Sequence, residues 1–303
     1  MNVPLRAEPP PRIPRVGGRL TTAEARARFD EFLCWTIQVE YPALAKFLPD
    51  DEREAFADYY SGLPAAGDMP GIARMLRGVW RGDAGWAVRW LAGRSHPRVL
   101  DAGSGFGTFA MLFGAMGADV TAVDVRPDRL DAAERRQAYY RATTGRDLPV
   151  THVREDLTQP WNGTYDLVWV FNALSHIDPL SPFLTQVCDH LRPGGVLVIG
   201  DINGDNPIHQ RRLARERRES EVHQVYIAPD GTRHTYAVER TFTPAQMREV
   251  LAENGLRVAL HELYWGGLGV LPEPIYRGFV RPLQRFWWLG GMARRQMVVA
   301  ERA

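Results

Sequence analysis

The sequence contains little cysteine, a single lysine and no long apolar run. Its two cysteines, Cys34 and Cys188, are far apart, and no C-x-x-C pair or mixed histidine–cysteine cluster accompanies them. The sequence patterns of a structural zinc site are therefore absent, and nothing supports a disulfide. Lys46 is the only lysine, and the 37 basic residues stand against 36 acidic ones, for a formal net charge of +1. That balance gives no sign of nucleic acid or an anionic membrane as a partner.

No stretch approaches the roughly 20 apolar residues that would span a bilayer. The first residues, M-N-V-P-L-R-A-E-P-P-P-R, lack the apolar segment of a secretory signal. We therefore expect a cytoplasmic protein that has no transmembrane segment and does not act on nucleic acid.

What the chain does contain is enough apolar material, 45% of 303 residues, for one large α/β domain with additions. Residues 1–18 carry five prolines, which is typical of a flexible arm. Residues 19–95 show helical spacing, with Thr21 or Thr22 as the first N-cap, and predict a helical N-terminal portion that acts as a lid and pocket wall. We expect 96–303 to form the main domain, with insertions at about 206–241 and 265–292.

From residue 98 onward, short apolar runs alternate with helical segments. The runs are V-L-D-A-G, A-D-V-T-A-V-D-V, P-V-T-H-V, Y-D-L-V-W-V-F and V-L-V-I-G-D. This alternation indicates βαβ units and a parallel sheet covered on both faces. Farther on, 222–240 is typical of a hairpin, Thr243-Pro244 of a helix start, and L-R-V-A-L-H-E-L-Y and Q-M-V-V-A-E-R of strands.

The segment V-L-D-A-G-S-G-F-G-T-F-A, residues 99–110, joins the end of a strand to the start of a helix. Its three glycines let the backbone turn sharply and approach a ligand, and the helix start favours a carboxylate. Asp124 ends the next strand about 20 residues later, where an acid can hydrogen-bond a ribose diol. A glycine loop alone is also compatible with a tight turn that binds nothing.

Further features follow in order along the chain. The loop spacing is G-x-G-x-G, with Thr108 where a dinucleotide loop has its third small residue. R-E-D-L (154–157) follows the third strand, and L-R-P-G-G (191–195) precedes the fifth. In these motifs the chain resembles the class I S-adenosylmethionine-dependent methyltransferases, strongly over about 96–205 and more weakly over 242–258. The resemblance implies a doubly wound, mostly parallel seven-stranded Rossmann-like sheet.

The resemblance also implies a cofactor, S-adenosyl-L-methionine, with S-adenosyl-L-homocysteine as its product, and a set of residues that bind it. Asp101 and the glycine loop would line the methionine end, Asp124 would bind the ribose, and Asp156 with Leu157 would contact the adenine. Val125 and Arg126 would lie beside the adenine, and Asn172 near the cofactor's amino group. The whole set is Asp101, Gly103, Ser104, Gly105, Gly107, Asp124, Val125, Arg126, Asp156, Leu157 and Asn172.

The acceptor is expected to be a small or amphipathic molecule, most simply a hydroxyl compound undergoing O-methylation. His176 follows the fourth strand and is the candidate base, because imidazole takes a proton near neutral pH. Asp178 would orient it or act as the base itself. A pocket-lining role for His176 stays open, as does methylation at nitrogen, carbon or a carboxylate by alignment alone. The motifs are less typical of aminopropyl transfer, of a nicotinamide-dependent oxidoreductase or of a cofactor-binding scaffold without catalysis.

Three other segments have two interpretations each. D-I-N-G-D-N (201–206) contains Asp201, Asn203 and Asp205, which could hold Mg²⁺, but turn chemistry is favoured and no metal is expected. The charge run 211–221 is typical of a solvated helix face, with closure over an anionic substrate as the alternative. The Arg- and aromatic-rich stretch 277–295 is interpreted as a cap on the core or the substrate pocket, with weak contact to a membrane surface or a lipidic acceptor as the alternative.

Overall fold

The structure is a computed structural model of the 303-residue chain. It describes residues 19–216, 223–227, 231, 233–237, 240–264, 271–280, 291 and 293–303. The proline-rich arm expected at 1–18 lies outside these residues, as do parts of the two expected insertions.

Helices occupy most of the chain before the first strand. Thr21 caps the first of them through a reciprocal capping box, in which its side chain and that of Glu24 accept hydrogen bonds from each other's backbone N–H. The helices are α1 (Thr22–Trp35), α2 (Asp50–Tyr59), α3 (Met69–Arg81) and α4 (Asp83–Ala92), with a π-helical turn Thr36–Glu40 and a 3-10 segment Tyr41–Lys46 between α1 and α2.

Strands and helices then alternate along the chain, as the sequence predicted. The elements are β1 (Arg98–Ala102), α5 (Thr108–Ala115), β2 (Asp119–Asp124), α6 (Pro127–Thr144), β3 (Val150–Arg154), β4 (Tyr165–Phe171), α7 (Leu180–His190), β5 (Leu191–Ile202), α8 (Pro207–Glu216), β6 (His223–Ile227), β7 (Arg233–Ala237), α9 (Pro244–Glu253), β8 (Leu256–Tyr264) and β9 (Arg295–Arg302). Two short helical segments, Glu273–Ile275 and Tyr276–Val280, precede β9.

Seven strands form one sheet in the order β3-β2-β1-β4-β5-β9-β8. The pairs within β3-β2-β1-β4-β5 are parallel, whereas β9 runs antiparallel to both of its neighbours. Strands β6 and β7 pair separately as the expected hairpin. The prediction of a doubly wound, mostly parallel seven-stranded sheet with a helical N-terminal portion is confirmed.

One strand boundary differs from the sequence prediction. L-R-P-G-G was expected to precede the fifth strand, but β5 already begins at Leu191, which pairs with Tyr165. The next register pair joins Val196 to Leu167, so the partner strand advances by two residues while β5 advances by five. The extra residues form an irregularity, in which Gly194 has a φ of +74°.

The sheet separates two apolar layers. Side chains of β4 alternate between them: Leu167 and Trp169 face one layer, and Val168 and Val170 face the other. The first layer contains buried residues of α1, α4 and α5, and the second contains buried residues of α7 and α9. The N-terminal helices α1 and α4 therefore share a core with the sheet. Among the described residues, no helix is both long and apolar enough to cross a membrane.

Candidate active site

A cavity of about 560 Å³ opens at the carboxyl ends of β1, β2 and β4. This is the edge at which doubly wound sheets bind their ligands. The residues that the sequence predicted as a site and that line this cavity are Asp101, Gly103, Ser104, Gly105, Asp124, Val125, Arg126, Asp156, Leu157, Asn172, His176 and Asp178.

Gly107 is the predicted site residue that does not line the cavity. Its φ is +72°, and a Cβ there would lie 2.9 Å from the Cβ of Ala133 in α6. The absence of a side chain thus lets the loop pack against α6 and begin α5.

The loop after β1 is attached to β2 by backbone hydrogen bonds. The N–H groups of Gly103 and Ser104 donate to the carbonyl of Val123, at 2.9 and 3.0 Å. The Asp124 carboxylate accepts hydrogen bonds from the backbone N–H of Gly105 at 2.8 Å and of Arg126 at 3.0 Å. Gly103 and Gly105 have φ values of +74° and +52°, a region that side chains disfavour. The glycines therefore bring the loop against Asp124.

Two carboxylic acids in the cavity wall have raised pKa values. Burial raises the pKa of Asp101 to about 8, and the nearby Asp124 raises it further in the same direction, against a backbone hydrogen bond from Ala110. Burial also raises the pKa of Asp124, although the backbone N–H groups of Arg126 and Gly105 oppose it. In the unliganded protein at neutral pH, Asp101 is therefore mainly protonated.

The cavity wall also holds buried polar atoms that no described residue satisfies. Oδ2 of Asp101 and the Oγ of Ser104 are both buried and have no hydrogen-bond partner among the residues that the structure describes. Buried polar groups normally have partners, so this wall fits a polar ligand, and a positive charge on that ligand would favour the ionised form of Asp101.

Asn172 directly follows β4 and has a left-handed conformation, with a φ of +52°. Its backbone N–H donates to the carbonyl of Gly200 at 2.9 Å, and its side-chain oxygen accepts from Nη1 of Arg295 at 2.7 Å. Arg295 lies over the Phe171 ring and is 3.6 Å from the carboxylate of Asp83 in α4. Arg295 and Asp83 belong to segments more than 200 residues apart, and no local sequence signal indicated their part in the site.

His176 and Asp178 both line the cavity, on the turn after β4. Asp178 forms an ion pair with Arg240, with 3.1 Å between Oδ1 and Nη1. Arg240 also donates to the carbonyl of Ile177. The Asp178 carboxylate thus connects this turn to the segment after β7.

At the other end of the cavity, Leu157 is buried and Asp156 is exposed. Oδ1 of Asp156 accepts hydrogen bonds from the backbone N–H and hydroxyl of Thr158, at 2.9 and 2.8 Å. The guanidinium of Arg126 is paired with Asp128, at 2.6 Å. The turn after β3 and the start of α6 therefore form this wall.

The model of a family described as methyltransferase domain matches residues 77–261, more than half of the chain. The chain belongs to the class I S-adenosylmethionine-dependent methyltransferase family. A ubiquinone biosynthesis O-methyltransferase of Rickettsia canadensis is 23% identical over 54% of this chain and 64% of its own length. The mitochondrial ubiquinone biosynthesis O-methyltransferase of Homo sapiens is 26% identical over 53% of this chain and 42% of its own length. The match thus spans less than two thirds of either relative.

The crystal structure of magnesium protoporphyrin IX methyltransferase from Synechocystis PCC 6803, with bound S-adenosylhomocysteine, is similar in fold. It superposes with a TM-score of 0.52 at 17% identity, over 83% of this chain and 96% of its own. At 17% identity, this superposition shows that the two proteins share a fold.

Sequence reasoning missed part of the cavity wall of the methyltransferase. The wall residues that it did not assign to the site are Tyr59, Tyr60, Phe106, Thr108, Phe109, Arg129, Thr158, Phe171, Ala173, Ile177, Pro179 and Arg233. Tyr59 and Tyr60 come from the end of α2, before the part of the chain that the family model matches. Two adjacent tyrosines after the acidic start of α2 were the available signal.

The other segments with two interpretations are described only in part. Asn203 is buried; its side chain accepts from the N–H of Asp205 at 3.1 Å and donates to the carbonyl of Ala293 at 3.0 Å, as a turn residue does. No group of three or more His, Cys, Asp or Glu that could hold a metal occurs among the described residues. The charge run 211–221 continues past α8 into undescribed residues, and 277–295 is described only at its two ends.

Proposed function

We propose that this methyltransferase transfers the methyl group of S-adenosyl-L-methionine to a hydroxyl of a small or amphipathic acceptor and releases S-adenosyl-L-homocysteine. The observation that carries the proposal is the wall formed by Asp101, the 103–105 loop and Asp124, with its unsatisfied buried oxygens. When bound, the cofactor supplies an electrophilic methyl group on a sulfonium. The names of the Rickettsia and human relatives support oxygen as the atom methylated.

The residues present fit this cofactor by their chemistry. Asp101 and Ser104 offer acceptor oxygens to a cationic amino acid end, and Asn172, which also lines the cavity, is a further polar group. The Asp124 carboxylate suits a ribose diol, since hydroxyls can donate to it in addition to its two backbone donors. The adenine would be bound by Asp156, Leu157, Val125 and Arg126. Its amino group needs a hydrogen-bond acceptor, and the face of its ring needs an apolar wall.

The remaining wall favours an acceptor with an apolar body. Tyr59, Phe109 and Phe171 supply aromatic surface beside the 103–105 loop. The N-terminal portion, through α2, would thus act as a pocket wall. In-line transfer needs little more than alignment and exclusion of water, both of which such a wall provides.

A hydroxyl acceptor must also lose its proton. We assign this to the imidazole of His176, which would take the proton from the acceptor oxygen as the new bond forms. Arg240 would hold the turn in place through Asp178 and Ile177.

The test combines calorimetry with turnover. We expect the wild type to bind S-adenosylhomocysteine and Asp124→Asn to lose about 1.5–3 kcal/mol of that binding, because a charged acceptor is removed. Asp131→Asn, an exposed carboxylate on α6 outside the cavity, is the matched control and should bind as the wild type does. Absence of any binding by the wild type would refute the cofactor assignment.

The acceptor class is tested with labelled S-adenosylmethionine and phenols, amines and carboxylic acids of similar size. We expect label on the phenols, with turnover that persists in excess EDTA. Labelling confined to amines or carboxylic acids would refute the hydroxyl acceptor, and activity lost to EDTA and restored by Mg²⁺ would show a metal requirement.

A further inference from the structure

A buried ion pair lies next to the glycine loop, and neither of its residues lines the cavity. Arg136 of α6 and Glu40 of the N-terminal portion have no exposed side-chain surface. The guanidinium binds the carboxylate twice, from Nε to Oε1 at 2.7 Å and from Nη2 to Oε2 at 2.8 Å. A pair removed so fully from water is costly to bury, so its remaining contacts show what it could do for the protein.

The third nitrogen of the guanidinium is directed at the loop. Nη1 of Arg136 donates to the carbonyl of Phe106 and to the hydroxyl of Thr108, the latter at 2.7 Å. The same Thr108 hydroxyl is hydrogen-bonded to the hydroxyl of Tyr60 in the cavity wall. The face of the guanidinium also lies over the Phe56 ring of α2, with 4.6 Å from Cζ to the ring centroid. Arg136 is thus enclosed by the N-terminal portion on one side and the loop on the other.

The Phe106 carbonyl connects Arg136 to the cavity through one rigid peptide plane. Because a peptide is planar, its C=O and N–H point in opposite directions. Arg136 holds the carbonyl of Phe106, and the N–H of Gly107 on the other side donates to the carbonyl of Ser104 at 2.9 Å. This second bond closes the turn that contains Gly105. The N–H of Gly105 in turn donates to the Asp124 carboxylate at 2.8 Å.

We propose that Arg136 is a positioning residue for the cofactor loop, and that Glu40, from outside the family's shared region, holds Arg136 in place. The loop has φ values of +74°, +52° and +72° at its three glycines, so its own backbone permits many other conformations. Fixing the peptide between residues 106 and 107 removes that freedom before a ligand binds. The N-terminal portion would then complete the cofactor site as well as wall the cavity. This inference rests on the proposed binding of the cofactor at the loop.

The test replaces the pair by apolar side chains of similar length, in the double variant Glu40→Leu and Arg136→Met. Such replacements of buried ion pairs are often neutral for stability or raise it. We expect the double variant to fold with a melting temperature near that of the wild type, while its Kd for S-adenosylhomocysteine rises about 10-fold to 100-fold. Hydrogen exchange of the backbone at 103–108 should accelerate in the unliganded variant. A folded double variant whose Kd stays within about twofold of the wild type would overturn the proposal.

A second variant keeps the test decisive if the double variant does not fold. Arg136→Lys retains a charge for Glu40, but one ammonium cannot reach Phe106, Thr108 and both carboxylate oxygens together. We expect a Kd for S-adenosylhomocysteine about 5-fold to 10-fold higher, and an unchanged Kd would overturn the proposal. Ile37→Ala, a buried position three residues before Glu40, is the control that lowers stability and should leave the Kd unchanged. A wild type that binds no S-adenosylhomocysteine would refute the proposed function itself, whereas binding that survives in these variants would refute only this inference.

Discussion

Asp101 shows how one side chain in the cavity couples burial to pH. It is 2% exposed, its pKa is raised to about 8, and it contacts the start of α5 through the backbone of Ala110. An aspartate ordinarily titrates near 3.8, so between about pH 4 and pH 8 the folded protein holds a proton on Asp101 that the unfolded chain has lost.

The extra proton that Asp101 holds in the folded state determines whether the unfolding free energy rises or falls with pH. Where the folded state holds the extra proton, its stability falls as pH rises, by at most about 1.4 kcal/mol per pH unit for one group. We therefore expect Asp101→Asn to flatten the decline in the unfolding free energy of the unliganded protein between about pH 4 and pH 8. Urea denaturation at several pH values measures this. A wild-type decline that is unchanged in Asp101→Asn would contradict the prediction.

His176 is the candidate base of the proposed methyl transfer. If its imidazole takes the acceptor proton, His176→Ala should lower kcat by about 10²-fold to 10⁴-fold and leave the Kd of the cofactor nearly unchanged. His190→Ala, a histidine at the end of α7 that does not line the cavity, is the matched control. Wild-type turnover in His176→Ala would leave His176 as a pocket-lining residue and make Asp178 the next candidate.

At the scale of elements, the turn after β4 is held by the segment that follows the β6–β7 hairpin. Arg240 bridges them through an ion pair with Asp178 and a hydrogen bond to the carbonyl of Ile177. Both charged side chains are about one third exposed, so the pair itself contributes modestly to stability. Loss of the Arg240–Asp178 ion pair should therefore act locally, by changing the shape of the cavity where the acceptor would bind.

We expect Arg240→Gln to raise the acceptor KM about 3-fold to 10-fold, which corresponds to about 1 kcal/mol of lost positioning, with the cofactor Kd unchanged. Steady-state kinetics at saturating cofactor measures the KM. Arg257→Gln removes a comparable ion pair with Glu301, which joins β8 and β9, and is the control. A rise in the cofactor Kd without a change in acceptor KM would be the contrary result.

The elements themselves could be predicted from local sequence because local chemistry forms them. Capping boxes at Thr21 with Glu24 and at Thr243 with Gln246 begin α1 and α9, and a continuous apolar run forms β4. The boundary of β5 could not be predicted this way, since Leu191 becomes part of the strand only through pairing with Tyr165 of a separate strand.

At the scale of the whole molecule, the N-terminal helices and the sheet share one core. Phe32 of α1 is 1% exposed and packs in the same cluster as Trp169 of β4 and Val299 of β9. The N-terminal portion therefore does more than supply Tyr59 and Tyr60 to the cavity wall, because removing the apolar side chains of α1 uncovers a face of the sheet.

Phe32→Ala should accordingly lower the unfolding free energy by about 3–5 kcal/mol. We expect tryptophan fluorescence and cofactor binding to be lost together in one urea transition, since α1 and the sheet cannot separate without exposing their shared layer. Thr22→Ala, at the exposed start of the same helix, should change stability by less than about 0.5 kcal/mol. Two resolved transitions, with cofactor binding lost only in the second, would show that the N-terminal portion folds apart from the sheet.

Local sequence patterns were sufficient to predict the alternation of strands and helices along the chain, the family, and the glycine loop after β1. These features depend on short-range patterns: apolar periodicity, caps, and glycines that must turn a strand into a helix. Packing of distant segments was needed to bring Tyr60 into the cavity wall, Arg295 against both Asn172 and Asp83, and the Glu40–Arg136 pair against the loop. These contacts join residues from 48 to more than 200 positions apart, and no local pattern encodes a pairing that exists only once the chain has packed.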